Sequence, residues 1–167
     1  MFTPDKEGID HINVYTKSNT ELGRLLSNLA NTPINHPKYG YFACLEALWY
    51  WLVIGNENHE IKDMNGFEAK KFGQKNLPED YEKIIQSEEF REDFKLGIRQ
   101  KMIEHKNILS MLIKTNDLPL AHYYYYTPKD GNLANAKVIM KDKHQWQLDY
   151  IEEIRQKTIE WQKEKEL

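Results

Sequence analysis

The sequence holds a single cysteine, Cys44, in 167 residues, which excludes an internal disulfide and a thiolate zinc site. Its six histidines are scattered, and none stands at metal-ligand spacing, so no metal is expected. No apolar run approaches the roughly 18 residues of a membrane span. The opening MFTPDKEGID lacks the basic and apolar regions of a secretory signal, so a cytoplasmic protein without a membrane partner is expected. Gly66 and Gly73 stand too far apart for a phosphate-cradling loop, and no serine-nucleophile elbow occurs. No cofactor is called for. Basic residues are dispersed over a net charge of −3, which removes an extended nucleic-acid footprint but leaves room for a single nucleotide.

What is present is a globular composition: 40% apolar, 29% charged and 12% aromatic, with ten tyrosines and four tryptophans. That suffices for a folded core and argues against disorder. Without repeats or low-complexity linkers, residues 1–167 are expected to form a single compact domain. Residues 1–10 read as a loosely held start and residues 11–15 as a short strand. Asn19 or Thr20 caps a short helix that Ser27 and Asn28 end. Residues 31–40, with two prolines and a glycine, read as a loop or two very short strands. An apolar helix over 44–54 is closed by Gly55 and Asn56. Short helices follow over 59–64, 66–73 and 79–86, with a break at 76–78. Residues 88–114 carry the longest helical pattern of the middle, with Asn107 as its break. Four tyrosines at 123–126 favour strand, residues 128–131 a turn, and 137–140 the returning strand. A C-terminal helix fills 144–167, with Ile151, Ile154, Thr158 and Trp161 in a seven-residue register. The fold class is α+β, mainly helical, with a few short strands.

The chain is organised around residues 25–52, where Glu46 is the only charge between Phe42 and Ile54. A lone carboxylate in an apolar helix must be partnered, protonated or turned to a cleft, because burying it bare costs several kcal/mol. Tyr50 shares its face, four residues on. Aromatic walls around few polar groups are the composition of a small-molecule pocket.

Several motifs here resemble the NADAR family. They are Leu26-Ser27-Asn28, then an aromatic and an acid in Tyr41-Phe42-Ala43-Cys44-Leu45-Glu46. Gly66-Phe67-Glu68-Ala69-Lys70-Lys71-Phe72-Gly73 looks like the family's E-A-K-x-x-G element. Arg91-Glu92-Asp93-Phe94 with Lys101-Met102 and Lys106 looks like its R-x-D-W…M…K helix, and 112–117 like its L-L-x-T-G-D turn. The resemblance implies a NADAR-like domain. It also implies an N-glycosidase-like hydrolase, acting on an ADP-ribose-like or phosphoribosyl compound as its small nucleotide-like ligand. Four departures stand out. Ala47 replaces the histidine after the acid, the aromatic run Trp49-Tyr50-Trp51 replaces a glutamine and a lysine, and Phe94 replaces a tryptophan. The closing D-x-x-W-G motif is absent, with His122 and the tyrosine run in its place. Such reduced versions look like those of tailed bacteriophages.

Glu46 is the catalytic candidate, since a carboxylate can stabilise an oxocarbenium-like charge or activate water. Its bland alternative is an ion pair that braces the helix. Ser27 and Asn28 are candidates for ribose or phosphate, against the commoner role of helix-end residues. Trp49 and Tyr50 are candidates to stack a base, although one or two of the three aromatics at 49–51 must be core. Lys71 and Arg91 are candidates for phosphate, Asp93 for the pocket, and Tyr125 for lining it in place of the missing motif. A second function class is a binding protein that has kept the pocket and lost turnover, sequestering a ligand or engaging a protein partner. A purely structural role resting on the charged C-terminal helix is the third.

Overall fold

A computed structural model describes residues 1–55 and 59–166. The fold is α+β and mainly helical. In chain order the first elements are β1 (Ile12–Asn13), α1 (Glu21–Leu26), β2 (Ile34–His36), β3 (Gly40–Phe42) and α2 (Leu45–Ile54). Then come α3 (Gly66–Lys75), α4 (Tyr81–Gln86), α5 (Glu88–Glu104) and α6 (Lys106–Lys114). The last are β4 (Leu120–Ala121), β5 (Tyr123–Tyr126), β6 (Lys137–Met140) and α7 (Gln145–Lys165). The chain divides into two compact units, a terminal one of residues 1–27 with 106–167 and an inserted one of residues 28–105. Among the described residues no helix is long and apolar enough to cross a membrane.

In the terminal unit β1 pairs in parallel with β4, and β5 pairs antiparallel with β6, setting Tyr123 opposite Met140 and Tyr126 opposite Lys137. Thr20 caps α1, its Oγ1 accepting from the Gly23 amide at 3.0 Å. Pro4–Lys6 form a 3-10 turn, and the buried Glu7 carboxylate accepts from Asn13 N, Ser18 Oγ, Asn19 N and Thr20 Oγ1. One acid thus ties the N-terminal segment to the cap of α1. Of the four tyrosines only Tyr123 is fully buried, its hydroxyl 2.6 Å from His11 Nε2, while Tyr126 is exposed. The seven-residue register of the last helix is corrected: α7 buries Gln147, Leu148, Ile151 and Arg155, and Trp161 is exposed. Arg155 is accepted into the interior because its Nη1 donates to Thr115 Oγ1 at 3.0 Å and to the Leu118 carbonyl at 2.8 Å.

In the inserted unit β2 and β3 form an antiparallel hairpin, and Ile34, Phe42, Leu48, Phe94, Ile98 and Met102 fill the core. Packed around α2 are α3, α4, α5 and the 3-10 turn His59–Asp63. A helix apolar on every side is buried on every side. Trp49, Tyr50 and Trp51 are accordingly all buried, where the sequence allowed one or two of them to face a ligand. Gly55 ends α2 at φ 113°, and Asn56, the second half of the expected stop, lies outside the described residues. The long helical pattern breaks at His105 rather than Asn107. His105 leaves helical geometry at ψ 73°, and its Nε2 lies 2.7 Å from the Pro33 carbonyl.

Candidate functional site

The start of α2 lacks a side-chain cap bond from Cys44, and the Asn28 carbonyl serves instead, accepting from the Glu46 amide at 2.9 Å. The next helix starts against the same loop. A Cβ on Gly66 would stand 2.5 Å from the Leu29 carbonyl oxygen, so only glycine admits this approach. Further along, a Cβ on Gly73 would stand 2.1 Å from Cδ1 of Tyr50. These two fixed points make α2 and α3 run side by side in the same sense. The buried stripe Gly66, Ala69 and Gly73 lets α3 lie close. One residue on, Phe67, Lys70 and Gln74 form the adjoining stripe at i, i+3 and i+7.

Glu46 and Tyr50, one turn apart on α2, face this seam. Glu46 is half-buried, and its side chain has no hydrogen bond or ion pair among the described residues. Burial pushes its carboxyl up to about 7, and the charge of Lys70 pulls it back down. Lys70 is half-buried and likewise makes no direct ion pair among the described residues. Burial also raises the phenol of Tyr50, with repulsion from Glu46 and Tyr81 adding to it, while a hydrogen bond with Gln74 opposes the rise. The arrangement holds one carboxyl group poised between its two protonation states near neutral pH, under the charge of Lys70 and one turn from the Tyr50 phenol.

A second cluster is closed upon itself. Asp93 is buried, and its two oxygens accept from Lys38 Nζ at 2.6 Å and from the Tyr39 hydroxyl at 2.7 Å. Burial alone would raise its carboxyl, but those two bonds outweigh burial and hold it below the usual value. The Asp93 carbonyl lies 2.8 Å from Nε2 of His36, whose imidazole is lowered by burial. Asp93 therefore fastens the β2–β3 turn to α5. Trp51 packs on Tyr39 with ring centroids 4.9 Å apart, and the Lys62 ammonium stands 4.9 Å from the Trp51 ring centre.

Of the residues singled out from sequence, Asn28, Glu46 and Tyr50 come together at the start of α2 and its first two turns. Ser27 is buried as the C-cap of α1, its amide donating to the Arg24 carbonyl at 3.3 Å. Trp49 meets Phe90 and Phe94 edge-on, with centroids at 4.7 and 5.2 Å, and its Nε1 donates to Tyr81 Oη at 3.2 Å. Lys71 is exposed on α3 and Arg91 half-buried on α5. Tyr125 belongs to the terminal unit, where its hydroxyl donates to the Lys17 carbonyl at 2.8 Å. Lys70 stood in the E-A-K-x-x-G resemblance but was not singled out as a site residue, and Gln74 was not read at all. Their signal was the spacing of Gly66, Ala69 and Gly73, which identifies the seam face of α3 and puts Lys70, rather than Lys71, beside it. Among the described residues no group of three His, Cys, Asp or Glu side chains could hold a metal ion.

One solved structure is similar over nearly the whole length. The Escherichia coli protein YbiA, determined by NMR, matches with a TM-score of 0.60 at 18% identity, covering 92% of this chain and 91% of its own. The fold is similar to that of YbiA. At that identity the likeness concerns the fold alone. No family model and no curated protein matches the chain.

Proposed function

We propose that this chain is an N-glycosidase-like hydrolase of NADAR type, cleaving a ribose–base bond in an ADP-ribose-like or phosphoribosyl compound. The observation that carries the reading is Glu46: half-buried, without a side-chain partner among the described residues, and shifted by burial to about 7. A structural carboxylate in such a place would be paired; an unpaired one is suited to moving a proton near neutral pH. The motif order and the likeness to the fold of YbiA support the NADAR assignment.

Hydrolysis breaks the bond between the anomeric carbon and the base nitrogen, and the electron pair leaves with the base. A water oxygen bonds to the carbon, and its proton passes to the ionised Glu46 carboxylate. That proton then passes from Glu46 to the nitrogen of the departing base, directly or through solvent, which restores the carboxylate. Negative charge at Glu46 also favours the oxocarbenium-like state through which such bonds break. Asn28, which caps the helix bearing Glu46, meets the sugar. Lys70 and Lys71 on α3 and Arg91 on α5 supply positive charge for phosphate. A single-domain organisation and a cytoplasmic setting belong to the same reading.

The test is a mass-spectrometric screen of the protein against NAD, ADP-ribosylated guanine nucleotides and phosphoribosyl-pyrimidines, beside Glu46→Gln. Released base that falls about 100-fold or more in the variant is the expected result. Hydrolysis unchanged in Glu46→Gln would sink the proposal. The residues standing where the family's closing motif belongs favour a second reading. Residues 122–126 carry no carboxylate, Tyr123 among them is buried, and Tyr125 is bonded to backbone. A ligand retained by the protein but never cleaved would identify a binding protein instead.

A further inference from the structure

We propose that Phe67 is the platform on which the planar base of the ligand stacks. The inference rests on the reading of Glu46 as the mark of a ligand site and adds how that site recognises the base. Stacking needs an open ring face. The aromatic run of α2 offers none, because Trp49, Tyr50 and Trp51 are only 6%, 5% and 3% exposed. In the inserted unit the large exposed aromatics among the described residues are Tyr41 and Phe67, at 46% and 67%. Tyr41 lies on the β2–β3 hairpin, whereas Phe67 lies on α3, one turn before Lys70 and two before Gln74. Along that stripe Gln74 engages Tyr50, Lys70 acts on Glu46, and Phe67 occupies the next place toward the loop of Asn28 and Leu29.

The position is held in advance. Gly66, its neighbour, is pressed against the Leu29 backbone, and Asn65 caps the helix by accepting from the Glu68 amide at 3.0 Å. A helical side chain leans over the turn that precedes it, which carries the ring beyond the end of the seam rather than into it. Every base has a stacking face, and a phenylalanine ring has no donor or acceptor with which to tell bases apart. The site therefore takes flat heterocycles as a class, purines above pyrimidines by their larger area. Selection falls on the sugar and phosphate.

Calorimetric titration of the full-length protein with guanosine 5′-monophosphate and with ribose 5-phosphate tests this, since the second probe keeps sugar and phosphate but has no base. Wild type is expected to bind the nucleotide more tightly. Phe67→Ala should weaken nucleotide binding about ten-fold while leaving ribose 5-phosphate unchanged, and Phe67→Trp should restore it. Equal nucleotide affinity in wild type and Phe67→Ala overturns the inference and leaves the hydrolase reading standing. Nucleotide binding that is tighter than ribose 5-phosphate binding and depends on Phe67, in a protein that releases no base from any compound of the screen, overturns the hydrolase reading and leaves the platform. A wild type that binds neither probe also overturns the inference, and the hydrolase reading then stands or falls on the screen for released base.

Discussion

Glu7 and Glu46 are acids withdrawn from solvent, one in each unit, and the protein treats them in opposite ways. Glu7 is surrounded by donors: two backbone amides and two hydroxyls converge on it, and through them it joins the start of the chain to the cap of α1. Glu46 sits on a helix walled by aromatic rings and, among the described residues, has no side-chain hydrogen bond or ion pair, though it feels the charge of Lys70. A carboxylate whose lone pairs are filled by the fold is a structural joint, and one whose lone pairs are left empty is available for chemistry. Asp93 falls with Glu7, because Lys38 and Tyr39 occupy its two oxygens.

Four substitutions bear on that contrast. Glu7→Gln keeps the shape but replaces an acceptor of two oxygens with one oxygen and an amide, so urea unfolding at pH 7 should show a loss of about 3 kcal/mol. A loss near zero would mean that the joint holds nothing. Gly73→Ala drives a methyl to 2.1 Å from the Tyr50 ring, and overpacking there should cost about 2 kcal/mol in the same measurement. It should also disturb the titration of Glu46 next to Tyr50, whereas a silent substitution would show the seam to be loose.

Glu46→Gln should have the opposite sign to Glu7→Gln. Its folded carboxyl titrates at about 7, above the ordinary 4.5, so the native state holds a proton that the unfolded chain gives up between those values. Stability therefore falls as pH rises through that window. The amide removes the penalty, and melting at pH 8 should reveal a gain of about 1–2 kcal/mol that vanishes near pH 4. Destabilisation at pH 8 would dissolve the contrast between the two acids. The smallest effect is expected from Lys70→Met, which should move the Glu46 titration upward in NMR of carbon-13-labelled glutamate. No movement would remove Lys70 from the site.

Much of the fold was legible because its signals are local. Two prolines and Gly40 marked a loop or two short strands where the β2–β3 hairpin lies, Asn19 or Thr20 offered the cap that Thr20 makes, and Gly55 marked the end of α2. The candidate site was legible on the side of α2, in Asn28, Glu46 and Tyr50, and not on the side of α3. That Lys70 rather than Lys71 borders Glu46 depends on which face of α3 meets α2, and glycine spacing announces this only when read as a packing surface. The burial of all three aromatics at 49–51 follows from neighbours on every side, which no window of α2 alone contains. Arg155 looked like one more solvated charge, and Thr115 and the Leu118 carbonyl, some forty residues away, make a home for it.

The parallel pairing of β1 with β4 has a consequence for synthesis. Ile12 and Asn13 leave the ribosome well before their partners Leu120 and Ala121, which follow more than a hundred residues later. In between, the whole of residues 28–105 must emerge. During translation the first strand waits with its backbone unpaired while the inserted unit is made. An order of assembly is therefore written into the topology: residues 28–105 are made before β1 can meet β4, so the terminal unit is completed after the inserted one has emerged.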